Sequence, residues 1–205
     1  MAKKAYVYSG TDWVPLASEV TDLTAYSTST EIANTYATKA DNGLVHINTT
    51  SFSAVTAVDI GSDASPLFSA DYNNYLILVE ANSDGAGQTL SARMRANTTN
   101  ATGANYDYQF MQGFGATVNA AESTSQTSWA IGDLGAGTSG LYEIMSINLF
   151  KPFLATRTFF NTTQGGKGIV RMRGGVHQLT TSYNGIGFFA TSNFSGFIRI
   201  YGYRN

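Results

Sequence analysis

Cysteine is missing from all 205 residues, which excludes disulfides and thiolate chemistry. Histidine occurs twice, at His46 and His177, with no HExxH and no His-x-His pair, so a transition-metal site has little to build from. Charge is also scarce. Asp, Glu, Lys and Arg make up 13% of the chain, against roughly a quarter in soluble domains. The net charge of −2 offers no general attraction for nucleic acid or an anionic membrane. No stretch approaches a membrane span, and the opening Met-Ala-Lys-Lys-Ala-Tyr has a basic start with no apolar run behind it. These absences read as a chain made in a cytoplasm, without nucleic acid or membrane insertion. The triplets at Asn48, Asn97, Asn100, Asn161 and Asn193 that resemble glycosylation sites then read as turn and strand-end chemistry.

Catalytic patterns are equally thin. No serine lies in a Gly-x-Ser-x-Gly elbow, and Gly113-Phe-Gly115 and Gly135-Ala-Gly137 lack the third glycine and the strand-to-helix setting of a phosphate loop. Asp59, Asp63 and Asp71 flank a proline loop, but their spacing matches no EF-hand and reads as turn chemistry. Asp107 with Glu122 or Asp133 is a carboxylate pair of the sort any β-protein supplies. The chain reads as non-enzymatic, with no catalytic residue, cofactor or metal.

Aromatics and glycine are what the chain has in plenty: 12 Tyr, 12 Phe and 21 Gly. Many aromatics with few charges mean that much of the surface is covered by something else, most simply another subunit. Residues 1–18 form a short aromatic segment in which Tyr6-Val7-Tyr8 and Trp13-Val14 predict a hairpin around Ser9-Gly10-Thr11-Asp12, stopped by Pro15. A lone two-stranded hairpin is marginal in water. Tyr6, Tyr8 and Trp13 therefore dock either into a larger assembly, as aromatic hot spots, or onto the chain's own main domain.

Residues 19–48 cannot be a core. They are mostly small and hydroxylated, with Leu23, Ile32 and Tyr36 among the few large side chains, at spacings near three to four with Val20 and Tyr26. Ser27, Thr28 and Ser29 interrupt any heptad, so the segment reads as an extended, partly helical stalk that needs sister copies beside it.

From residue 49 to 205, short strands alternate with Gly- and Asn-rich turns. Strands are predicted near residues 52–60, 75–81, 90–96, 106–112, 127–131, 142–149, 153–160, 168–173, 186–190 and 197–203. That pattern predicts an all-β, antiparallel sandwich of jelly-roll type. Tyr75-Leu-Ile-Leu-Val79 does not alternate and is expected to be covered on both faces. In the last strand Ile198 and Ile200 face the core, while Phe197, Arg199, Tyr201 and Tyr203 form an aromatic face suited to a subunit interface. A cyclic trimer is the simplest closed arrangement that also gives the stalk its partners. The arginines within strands read as cross-strand pairs or packing between subunits, against the alternative of acidic-glycan recognition.

The opening Lys-Lys-Ala-Tyr-Val-Tyr-Ser-Gly-Thr-Asp-Trp-Val-Pro-Leu, the segment Tyr36-Ala-Thr-Lys-Ala-Asp41 and the ending Gly196-Phe-Ile-Arg-Ile-Tyr-Gly-Tyr203 resemble virion appendages of tailed bacteriophages. Short tail-fibre and head-fibre proteins of marine and cyanobacterial phages are the nearest group, over about a quarter of the chain. The resemblance implies a homotrimer located in the virion, its N-terminus bound to another virion protein and its β-sandwich directed outward. Adsorption to a host-surface glycan or protein is then expected at head loops such as Asn105–Tyr106 and Tyr183–Asn184. A capsid decoration or baseplate component that stabilises the particle without a receptor is the alternative.

Overall fold

The structure, a computed structural model, describes residues 6–8, 11–15, 43–136, 143–166 and 169–204. The chain divides into two compact units, Met1–Gly43 and Leu44–Asn205. In the first, β1 (Tyr6–Tyr8) pairs antiparallel with β2 (Trp13–Pro15), Val7 opposite Val14. This is the hairpin expected there, with Pro15 closing the second strand. Residues 16–42 lie outside the described residues, and with them Leu23, Ile32 and Tyr36 of the expected stalk.

The second unit is all-β. Its strands are β3 (Leu44–Ile60), β4 (Tyr72–Ser83), β5 (Gln88–Ala96), β6 (Thr99–Asn100), β7 (Tyr106–Phe114), β8 (Thr117–Gln126), β9 (Trp129–Leu134), β10 (Glu143–Phe150), β11 (Thr158–Gly166), β12 (Ile169–His177) and β13 (Gly185–Arg204). They form one curled antiparallel sheet in the order β6-β5-β13-β4-β10-β11-β12-β7-β8, with β3 also on β13 and β9 also on β5.

The curl comes from β13. Its first part, Gly185–Phe189, pairs with β5, and its last part, Phe194–Arg204, pairs with β4. β3 follows β13 through the bend, with register shifts between Phe189 and Gly196. The result is a sandwich: a large layer of the start of β3, the end of β13, β4, β10, β11, β12, β7 and β8, and a small layer of the end of β3, the start of β13, β5, β6 and β9. The head begins at Leu44, not Thr49, because β3 is unbroken and Leu44 pairs with Tyr203.

Period-two alternation builds the core. Tyr75, Ile77 and Val79 of β4, Met145, Ile147 and Leu149 of β10, and Ile198 and Ile200 of β13 all point between the layers and are buried. Leu90, Ala92 and Met94 of β5 close the other side. Trp129 of β9 fills the middle, 4.6 Å from the Phe160 ring and 5.1 Å from Tyr106, and its indole N–H donates to the Val176 carbonyl.

The opposite face of the large layer behaves differently. Leu76 and Leu78 of β4 point outward and are only half-buried, so the run expected to be covered on both faces is fully covered on one alone.

Candidate functional site

At one end of the sandwich the space between the layers turns from apolar to polar. β12 delivers this by alternation: His177 lies in the ring cluster, and on the same face Arg173 and Arg171 follow at two-residue steps. They meet Asp133 of β9. Its Oδ2 accepts from Arg173 Nη2 at 2.7 Å and lies 3.1 Å from Arg171 Nε, while its Oδ1 accepts from Thr89 Oγ1 at 2.9 Å. Arg171 Nε also donates to Gln112 Oε1.

Gln164 of β11 holds the edge strand β9 as a neighbouring strand would. Its Oε1 accepts the Asp133 N–H at 2.9 Å, and its amide nitrogen donates to the Asp133 carbonyl and, at 3.4 Å, to Glu143 Oε2. Such pairing satisfies backbone groups that an edge would leave open. Burial holds the Arg173 guanidinium below its ordinary range, against the opposing pull of Asp133. Arg173 stays charged and paired.

Between the layers here runs an open cleft of about 430 Å³, lined by Gln88, Thr89, Asp133, Glu143 and Arg171 among others. The two Nη nitrogens of Arg171 have no partner among the described residues. A guanidinium fork, two carboxylates and a hydroxyl lining one cleft can donate to and accept from adjacent hydroxyls of a sugar. Sequence reasoning placed these arginines in cross-strand pairs or between subunits; Arg199 on Glu80 at 2.8 Å does join the paired strands β13 and β4, whereas Arg171 and Arg173 on Asp133 bridge the two layers and Arg95 on Asp59 at 2.6 Å reaches across β13. It missed the cleft. The signal was Arg171 and Arg173 on the parity of His177.

The loop residues expected to face a receptor do other work. Tyr106 is wholly buried: its hydroxyl accepts the Met94 N–H at 3.0 Å and donates to the Ala101 carbonyl at 2.9 Å. Tyr183 is buried beside His177, its hydroxyl 3.4 Å from Nδ1. Both are corrected to core residues, because each ring enters the Trp129 cluster and each hydroxyl has a partner inside. Asn184 is half-buried and locks three segments: its side chain bonds Asp63 Oδ1 at 2.6 Å and the Asn97 N–H at 2.9 Å, and its carbonyl accepts from Leu67. Asn105 is half-buried, and its carbonyl accepts from the Gln178 N–H.

Asp59, Asp63 and Asp71 do not converge, each bonding a different neighbour, and no group of three metal-binding side chains occurs among the described residues. Asp107 and Glu122 share a surface hollow of about 340 Å³ with Gly174 and Gly175, apart from Asp133. Bonds from the Gln178 amide and the Ser125 N–H hold the Asp107 carboxyl below the usual carboxylate range.

Phe197, Arg199, Tyr201 and Tyr203 lie on the outer face, half-buried, as expected from their alternation with Ile198 and Ile200. Arg199 lies 4.3 Å above the Phe197 ring, Tyr201 meets His46 edge-on, and the Tyr203 hydroxyl donates to Asn148 Oδ1. The side chains of Tyr6, Tyr8 and Trp13 lie outside the described residues. No protein-family model, curated protein or solved structure matches the chain.

Proposed function

We propose that the chain is a virion structural protein of a tailed bacteriophage, a homotrimeric fibre anchored to the particle through its N-terminal unit, whose β-head contacts the host surface. The observation that carries this reading is the division of the chain into a small unit bearing the hairpin of Tyr6–Tyr8 and Trp13–Pro15 and a large β-head with its own core. The likeness of the hairpin, stalk and last-strand segments to phage appendages supports it.

With Tyr106 and Tyr183 in the core, the receptor contact moves to the polar cleft of Arg171, Glu143, Asp133 and Thr89, which suits the hydroxyls of a surface glycan. Weak sites on three heads, repeated around a particle, combine into avidity. The reading assigns no catalytic step and no cofactor. The test is competition: full-length protein added to host cells should reduce phage adsorption, and an Arg171→Ala, Glu143→Gln double variant with an unchanged melting curve should compete at least tenfold less well. No competition at saturating protein sinks the adsorption role.

One observation favours the second reading, a capsid decoration or baseplate component: Met111, Val118, Ile144, Val170 and Met172 stand exposed on one face of the head, as apolar side chains on assembly surfaces do. Particles carrying Trp13→Ala protein would then lose it, and particles lacking it would break under heat or osmotic shock while adsorbing normally.

A further inference from the structure

The outer face of the large layer carries seven exposed large apolar side chains: Leu44, Met111, Val118, Ile144, Phe159, Val170 and Met172. Register places them in rows across the strands. One row runs Ser51, Phe197, Glu80, Ile144, Gly165, Val170, Gly113 and Val118. The next runs Thr49, Arg199, Leu78, Ser146, Thr163, Met172, Met111 and Ala120. Two more rows follow, through Tyr201 with Leu76 and through Tyr203 with Phe150 and Phe159.

The face has two halves. Toward β3, β13 and β4 it is aromatic, with Phe197, Tyr201 and Tyr203. From β10 to β8 its first two rows are aliphatic and sulfur-bearing, with Ile144, Val170, Val118, Met111 and Met172, and Phe150 and Phe159 stand only in its last row. Gly165 and Gly113 stand between those side chains, and a Cβ on either would meet nothing within 4 Å. They leave shallow floors on which a flat ring can lie.

We infer that this face is where copies of the chain meet, each turning it toward a common axis so that the aliphatic half of one lies against the aromatic half of the next. The inference rests on the homotrimer proposed above and assigns its interface. Two observations select a copy of the chain as occupant. Formal charge in the four rows is limited to Glu80 and Arg199, paired with each other, and to Asp107 and Glu122 toward the β7–β8 corner, so a charged partner finds little to grip. The halves are complementary in kind, since methionine sulfur and glycine floors both favour aromatic rings. The face is wide enough to be shared between two neighbours: eight strands at ~4.8 Å and four rows at ~6.7 Å give on the order of 700 Å² per chain, about half of it at each contact, which makes each contact a small one. A heterologous contact of this kind closes into a three-membered ring when its rotation is one third of a turn.

The test is the native mass of the full-length protein by light scattering, for wild type, Val170→Lys and Met172→Lys. Both side chains are more than half exposed in the single chain, so a lysine there leaves the core intact, and circular dichroism checks this. The expected result is three times the 21.9 kDa chain for wild type and the single-chain mass for both variants. Variants that remain trimeric overturn this interface and leave the trimer standing; a wild type of single-chain mass overturns both. Should either lysine variant misfold, peroxide oxidation of the wild type decides: Met111 and Met172 at least tenfold slower than free methionine supports the interface, and unprotected oxidation of both removes it.

Discussion

His177 is a titratable side chain placed where its charge is least welcome. It lies 4.3 Å from the Tyr106 ring and 5.2 Å from Tyr183, with Trp129 edge-on behind, and its Nε2 has no partner among the described residues. Burial pushes its pKa below the ordinary value, opposed in part by the bond its ring donates to the Leu179 backbone carbonyl. The unfolded chain keeps a pKa near 6.5. Below that pH the unfolded state takes up a proton that the folded state refuses, so stability is lost as pH falls, by up to ~1.4 kcal/mol per pH unit. Urea unfolding at pH 7.5 and 5.5 should show wild type losing on the order of 1 kcal/mol more than His177→Phe, which fills the same box without titrating. Equal losses would contradict a neutral, buried imidazole. Tyr106 offers a second test at this scale. Tyr106→Phe keeps the ring but leaves the Met94 N–H without its acceptor in the core, which should cost about 1–3 kcal/mol in urea unfolding. The sequence placed Tyr106 and Tyr183 beside turns and so read them as loop residues. The partners that pull them inward are near in sequence for Ala101 and His177 and twelve residues off for Met94, but each lies across a turn from the ring it holds, and strand alternation carries no trace of that.

At the scale of elements the bend of β13 decides the architecture, because one strand serves both layers. Ala54 at φ 52° on β3 lies opposite, its N–H bonded to the Ser195 hydroxyl. Gly196, at φ 155°, lets β13 press onto β4: a Cβ there would meet the Glu80 carbonyl oxygen at 2.1 Å. Backbone cannot yield as a side-chain tip can, so Gly196→Ala should cost about 2–4 kcal/mol by forcing the two strands apart, measured as a lower melting temperature. A change below 1 kcal/mol would mean that the bend is held elsewhere. Alternation made the last strand legible, down to which face is aliphatic. It did not show that Ile186–Ala190 and Phe197–Tyr203 belong to one strand, since Thr191, Ser192 and Asn193 look like any polar turn. β8 went unread for a related reason: Thr-Val-Asn-Ala-Ala-Glu-Ser-Thr-Ser-Gln is an edge strand exposed along almost its whole length, and without a buried face it has no period to find. The interlayer cleft needs Asp133, Glu143, Gln164 and Arg171 from four strands, so only the sheet order brings it together.

For the whole molecule, the question is which part holds copies together. Among the described residues the core side chains all fall between Val58 and Ile200, and the first strand of the head starts at Leu44. A protein of residues 44–205 should therefore unfold cooperatively within a few degrees of the full chain in calorimetry. Its oligomeric state then separates two sources of assembly. A stalk built on Leu23, Ile32 and Tyr36 has too few large apolar side chains to associate well alone, whereas the outer face of the head carries the exposed apolar rows set out above. The isolated head should accordingly remain trimeric at micromolar concentration, and Met172→Lys should reduce it to single chains. If the head is monomeric while the full chain is trimeric, the stalk is the trimerising element and the exposed Val170–Met172 surface must meet a different protein of the particle, which is what a decoration role would require.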